Sequence, residues 1–164
     1  ELSGAGLVEV RSGVLSFLNG APTDSLVVDT DMRISGGHVS LSGQVYVGFQ
    51  RSTTFEIIGD EASISLSRLN MGGAINKGTL RFSLNERGVS PITVLGWMNL
   101  SSGKLVVDGS SYTGGAGTMM LIDSRNLAGQ LVMSNINVTG FEAQGLSASV
   151  IQDAQDVRLV IESL

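Results

Sequence analysis

Apolar and polar residues alternate through most of this chain. Val39, Leu41, Val45, Val47 and Phe49 keep one phase, as do Phe55 with Ile57, and Ala62, Ile64 and Leu66. The pattern returns at Leu80, Phe82 and Leu84, at Ile92 and Val94, and at Leu105 and Val107. It appears again at Ile136 and Val138, and at Val157, Leu159 and Ile161. The residues between them are mostly Ser, Thr, Glu, Arg or Gln. Successive side chains of a strand point to opposite faces, so a period of two predicts strands with one buried face. The runs stop at Gly36-Gly37, Gly59-Asp60, Gly72-Gly73 and Gly114-Gly115, the punctuation of frequent turns. Gly and Ser interrupt nearly every window long enough for a helix. The one helix candidate, Phe141 to Val150, fits neither period cleanly.

Alternation alone does not choose among all-β architectures; repetition narrows the choice. Gly37-His38-Val39, Gly78-Thr79-Leu80 and Gly103-Lys104-Leu105 each begin with Gly, a polar residue and an apolar one. Degenerate repeats of a short strand-and-turn unit stack into solenoids. The expectation is a single β-solenoid-like domain over residues 1–164, specifically a right-handed parallel β-helix, with a β-sandwich or jelly roll as the alternative. Its length lets it bury a core without disulfides or metal. Aromatic residues make up only 5%, so Val, Leu, Ile and Met must build that core.

Charge limits the partners. The net charge of -5 repels a phosphate backbone, which argues against nucleic acid. Lys77 and Lys104 are the two lysines, too few for a basic membrane-surface patch. No apolar run approaches the roughly 18 residues of a membrane span. The chain has no cysteine and opens on Glu1, which reads as a processed or cut chain of a cytosolic or bacterial surface protein.

The stretch from Gly78 to Gly129 is more specific. It holds Gly78-Thr79-Leu80-Arg81-Phe82-Ser83-Leu84, Gly88-Val89-Ser90-Pro91-Ile92, Gly103-Lys104-Leu105-Val106-Val107 and Leu121-Ile122-Asp123. It resembles the C-terminal part of autotransporter-like β-helix repeat regions of exported bacterial proteins, including those with a PEP-CTERM sorting tail. The segment from Gly43 to Asn70 resembles the preceding coils. The resemblance implies export, a right-handed parallel β-helix and a surface or matrix role. It rests on strands and turns and carries no catalytic residue. The sorting tail and the membrane barrel of such proteins are not seen here, which leaves the mode of anchoring open.

Candidate chemistry is sparse. His38, the single histidine, stands in the polar phase of its strand near Asp29 and Asp31. A Ser-His-Asp arrangement would need it, but no Gly-x-Ser-x-Gly elbow supplies the nucleophile, and a solvent-facing histidine is the better reading. One histidine without cysteine does not make a structural zinc site. Asp29-Thr30-Asp31 could offer two carboxylates to Ca²⁺, although solvated turn residues account for them. Glu56, Asp60 and Glu61 form the densest acidic cluster and read as a solvated face rather than a glycosidase pair. The loop Thr113-Gly114-Gly115-Ala116-Gly117-Thr118 lacks the lysine and the following helix of a phosphate loop. Asn99-Leu100-Ser101 and Asn137-Val138-Thr139 match the N-glycosylation pattern. Tyr46, Phe49, Trp97 and Tyr112 could stack on sugars, but their spacing does not place them on one face.

The sequence thus predicts a non-enzymatic structural or adhesive protein, secreted or at the cell surface, without a cofactor. Copies of itself are the expected partners, in a self-assembling filament. The proposed assembly interface is Leu7, Val8 and Val10 near the start, with Val157, Leu159 and Ile161 near the end. A module that binds surface polysaccharide is the alternative, and an enzyme acting on polysaccharide the third.

Overall fold

A computed structural model describes residues 2–17, 25–71 and 78–164. The chain folds as an all-β solenoid, a parallel β-helix, with thirteen strands among the described residues in one continuous hydrogen-bonded array. The strands are β1 (Leu2–Val10), β2 (Val14–Phe17), β3 (Ser25–Ile34), β4 (Gly37–Val47), β5 (Thr53–Ile58), β6 (Ala62–Asn70) and β7 (Gly78–Ser83). They continue with β8 (Ile92–Asn99), β9 (Lys104–Asp108), β10 (Gly117–Gly129), β11 (Ile136–Thr139), β12 (Leu146–Gln152) and β13 (Asp156–Ser163). The sandwich alternative falls away, because pairing from β1 to β11 is parallel and links each strand to one a full coil later. Gly72-Gly73 and Lys77 lie outside the described residues.

Register defines three sides to each coil. On the first side Val8, Met32, Phe55, Leu80, Leu105 and Ile136 stack in one column. Val10, Ile34, Ile57, Phe82, Val107 and Val138 form the column beside it. On the second side Leu15, Val39, Ile64, Ile92 and Ile122 stack. On the third, Val45, Leu69, Met98 and Leu127 do so. Many of the alternating apolar residues of the sequence stand in these columns, joined by residues such as Met32, Ile34, Leu69 and Met98, and they meet in one continuous core, whereas Phe49, in the same phase as Val47, is exposed. Each of these columns is apolar throughout, at rungs about 4.8 Å apart, so the core is filled by apolar side chains stacked on apolar side chains.

One inward column departs from this rule. Phe17, Leu41, Leu66 and Val94 are followed by Ser124, which is buried and whose Oγ has no hydrogen-bond partner. Other buried hydroxyls are engaged: Ser90 Oγ accepts the Ala62 N–H at 2.9 Å, and Thr53 Oγ1 donates to the Val28 carbonyl at 3.3 Å.

The corner between the first and second sides demands glycine. Gly37 sits at φ 78°, and a Cβ there would lie 2.7 Å from the Gly13 carbonyl oxygen of the coil before. The Gly13 carbonyl in turn accepts the His38 N–H at 2.8 Å. Coils can approach this closely only where no side chain intervenes.

The parallel stack ends in a hairpin. β13 runs antiparallel to β10, and β12 antiparallel to β13. The helix candidate at Phe141 to Val150 becomes a single 3₁₀ turn, Glu142–Gln144, ended by Gly145 in the left-handed region and followed at once by β12. Phe141 is buried against Gly109, where a Cβ would strike its ring at 2.3 Å.

Candidate functional site

Each side of the solenoid presents a different outward chemistry. The first side carries charge. Glu9, Arg33, Glu56 and Arg81 form one outward column, each on the rung after the last. Arg33 Nε donates to Glu56 Oε2 at 2.9 Å, and Arg81 Nε lies 3.3 Å from Glu56 Oε1. Arg81 Nη2 donates to Asp108 Oδ2 at 2.7 Å, and the Ser83 hydroxyl donates to Glu56 Oε1 at 2.9 Å. The hydrogen bond and charge of Glu56 hold the Arg33 guanidinium above its ordinary pKa. A hydrogen bond from Ser110 leads the causes that lower Asp108. At the neighbouring corner the Asn85 amide donates to Asp60 at 2.7 Å and holds its pKa down, with Arg87 reaching both Asp60 and Glu61. The acidic cluster read from the sequence is therefore two ion-paired groups. A general acid needs a raised carboxyl pKa, and the shifts at Asp60 and Asp108 run the other way.

Asp29 and Asp31 are also engaged. The Asp29 carboxylate, buried, accepts the Gln50 N–H at 2.9 Å, and Asp31 Oδ1 accepts the Thr54 N–H at 2.8 Å. They fasten one coil to the next. Among the described residues no group of three or more His, Cys, Asp or Glu is arranged to hold a metal ion.

The second side is a ladder of hydroxyls. Ser16, Ser40, Ser65 and Thr93 share one outward column. His38 lies beside it, exposed, with Nδ1 3.1 Å from Ser63 Oγ. Both acids near His38 in sequence are committed to backbone N–H groups, so the structure does not assemble the triad.

The third side gathers aromatic and amide groups. In one outward column Gln44 pairs with Arg68 and Trp97 with Asn126, Arg68 and Trp97 being the residues before the paired Leu69 and Met98; the other column runs Tyr46, Asn70 and Asn99. Spacing along the chain does not bring the aromatics together, but the fold puts Tyr46 and Trp97 on the same side, facing outward. Phe49 joins them at the corner after β4, its ring centroid 5.1 Å from that of Tyr46 and 60° to it. Tyr112 is elsewhere. It is buried against Phe141 and donates from its hydroxyl to the Gly115 carbonyl at 2.9 Å, tying down the glycine-rich loop. Of the glycosylation patterns, Asn99 is half-buried against Gly129 and Asn137 is exposed on β11.

The residues proposed for assembly fall into two groups. Val157, Leu159 and Ile161 are buried and paired through β13 with β10 and β12 of the same chain. At the other end, among the described residues, β1 pairs only with β3 and β2 only with β4, so each keeps one edge without a partner strand there. There Leu7 is 50% exposed and Val14 72%, while Val8 is half-buried and Val10 buried. Among the described residues no helix is long and apolar enough to cross a membrane.

Comparison of the chain with family models, with curated proteins and with solved structures gives no match.

Proposed function

We propose that this chain is a non-enzymatic structural or adhesive protein of the cell exterior that associates with a second copy through the open end of its solenoid. The observation that carries the reading is the contrast between the two ends. At the C-terminal end Phe141, Leu146, Val150 and the β13 residues cover the core. At the N-terminal end β1 and β2 offer backbone edges that no strand among the described residues covers, flanked by exposed Leu7 and Val14. Such edges template pairing with another chain.

Magnitude shapes the assembly. A coil cross-section of roughly 20 Å by 20 Å gives on the order of 400 Å² per partner. A stable interface needs about 800 Å² per partner. End-on contact alone is therefore weak, and main-chain pairing along β1 must supply the rest. Open edges at one end favour a closed two-fold pair, in which β1 meets β1 of the second copy, over an unlimited filament.

Light scattering across a concentration series tests this. The intact protein should approach twice the chain mass as concentration rises, and Leu7→Lys with Val14→Lys should hold it at one chain mass. Both positions are exposed, so the variant should keep its circular dichroism spectrum. A single-chain mass at the highest soluble concentration would refute the proposal, as would unchanged association of the lysine variant.

A further inference from the structure

We propose that the third side of the solenoid binds a neutral polysaccharide strand, with Tyr46, Phe49 and Trp97 as stacking surfaces and the amides between them as hydrogen-bonding groups. This does not depend on self-association, since the residues lie on the flank and not at the end.

Tyr46 and Trp97 occupy adjacent outward columns two rungs apart. Rung spacing of about 4.8 Å and a two-residue step of about 6.7 Å place them roughly 12 Å apart. That separation is of the size of a short run of linked sugar rings, so one strand can touch both. Phe49, 45% exposed, extends the first aromatic surface around the corner. The rung between carries Arg68 and Asn70, and Asn99, whose Oδ1 accepts the Ser101 N–H at 3.1 Å, stands beside Trp97. An amide both donates and accepts, which matches a sugar hydroxyl, itself a donor and an acceptor. Aromatic faces take the C–H face of a pyranose as they take any apolar surface. Gly96 adds a local device. A Cβ there would lie 2.7 Å from the Ser67 carbonyl oxygen and 3.4 Å from Arg68 Cγ, so glycine lets the Arg68 stem lie close to β8 next to Trp97.

Charge selects the class of glycan. In the two outward columns Arg68 is the single charged residue, in contrast to the Glu9–Arg33–Glu56–Arg81 column of the first side. The chain as a whole carries -5, which disfavours a polyanion. The match is an uncharged strand rich in hydroxyls.

The chain has a single tryptophan, so its fluorescence reports on this surface alone. Titration with a soluble neutral β-glucan and a neutral mannan, with alginate as the polyanionic comparison, is the test. It is run on the Leu7→Lys, Val14→Lys variant as well as the intact chain, so that association does not enter the signal. A neutral polysaccharide should shift Trp97 emission to shorter wavelength and slow its quenching by acrylamide. Tyr46→Ala should weaken that binding about tenfold, Trp97→Phe should retain most of it in affinity electrophoresis, and Lys104→Ala should leave it unchanged. No response to either neutral glycan, a response to alginate alone, or equal affinity in Tyr46→Ala would overturn the proposal. Should Tyr46→Ala fail to fold, Gln44→Ala at the edge of the same surface takes its place, with a threefold or greater loss expected.

Discussion

Ser124 offers a sharp test of how the core is held together. It stands at the end of the inward column Phe17–Leu41–Leu66–Val94, buried, and its hydroxyl meets no partner among the described residues. A buried polar group without a hydrogen bond keeps its desolvation penalty, about 1–3 kcal/mol. Ser124→Ala removes that penalty and leaves a gap of one oxygen, so the protein should gain about 1 kcal/mol. For a chain of this length that raises Tm by about 2–4 °C. Ser90 supplies the opposite sign from the same change. Its Oγ accepts the Ala62 N–H at 2.9 Å, and Ser90→Ala would leave that N–H unpaired at a cost of about 1–3 kcal/mol. Thermal and urea unfolding followed by far-ultraviolet circular dichroism compare the two variants with the parent. If Ser124→Ala loses stability as Ser90→Ala does, the Ser124 hydroxyl is satisfied, for instance by a buried water, and the reasoning fails.

Two further outcomes are expected. Phe82→Ala empties a fully buried position between Ile57 and Val107 and should cost about 3–5 kcal/mol, whereas Arg81→Ala, facing outward and partly exposed, should cost under about 1 kcal/mol; equal losses in urea unfolding would mean the register is wrong. Asp60, Asp108 and Asp153 are lowered by hydrogen bonds from the Asn85 side chain, from Ser110, and from the backbone of Gln155 and Asp156 respectively. A depressed folded pKa gives stability that is present above the unfolded value, about 3.9, and lost as pH falls through the folded one. The urea midpoint should therefore change little on account of these groups from neutral pH down to about 4 and fall below it, and a loss centred near neutrality would contradict this assignment.

The strands were legible because inward and outward positions follow simple parity. Leu80, Phe82 and Leu84 point inward and Arg81 outward, as their alternation predicts; of the recurring Gly-polar-apolar starts, Gly78 and Gly103 open first-side strands one coil apart, whereas Gly37 opens a second-side strand two coils earlier. The aromatic surface was not legible, for a physical reason. Tyr46 stacks on Asn70 and Asn70 on Asn99, so successive coils differ in length because the corner loop before β8 is longer. Parity also slips within β6, where Leu66 and Leu69 both point inward. Which outward residues share a column then depends on loop lengths that alternation does not encode. The end of the chain shows a similar limit. Val157, Leu159 and Ile161 read correctly as a strand, but nothing local says that it turns back on β10 instead of extending the parallel stack. The ion pairs of Glu56 were hidden too, because Arg33 and Arg81 reach it from neighbouring coils.

The column Glu9–Arg33–Glu56–Arg81 bears on a problem peculiar to stacked coils. The inward residues of one rung resemble those of the next, so the core barely distinguishes neighbours. Were β3 to pair with β7 in place of β5, Met32 and Ile34 would meet Leu80 and Phe82 instead of Phe55 and Ile57, with little loss of apolar contact. Outside, however, Arg33 would face Arg81 where it now faces Glu56. Like charges directly opposite repel and unlike ones attract, each by roughly 0.2–1 kcal/mol. Alternation of sign from rung to rung therefore works as an address: a strand that skips a coil finds its own charge waiting, and the order of the coils is written on the surface while the interior stays uniform.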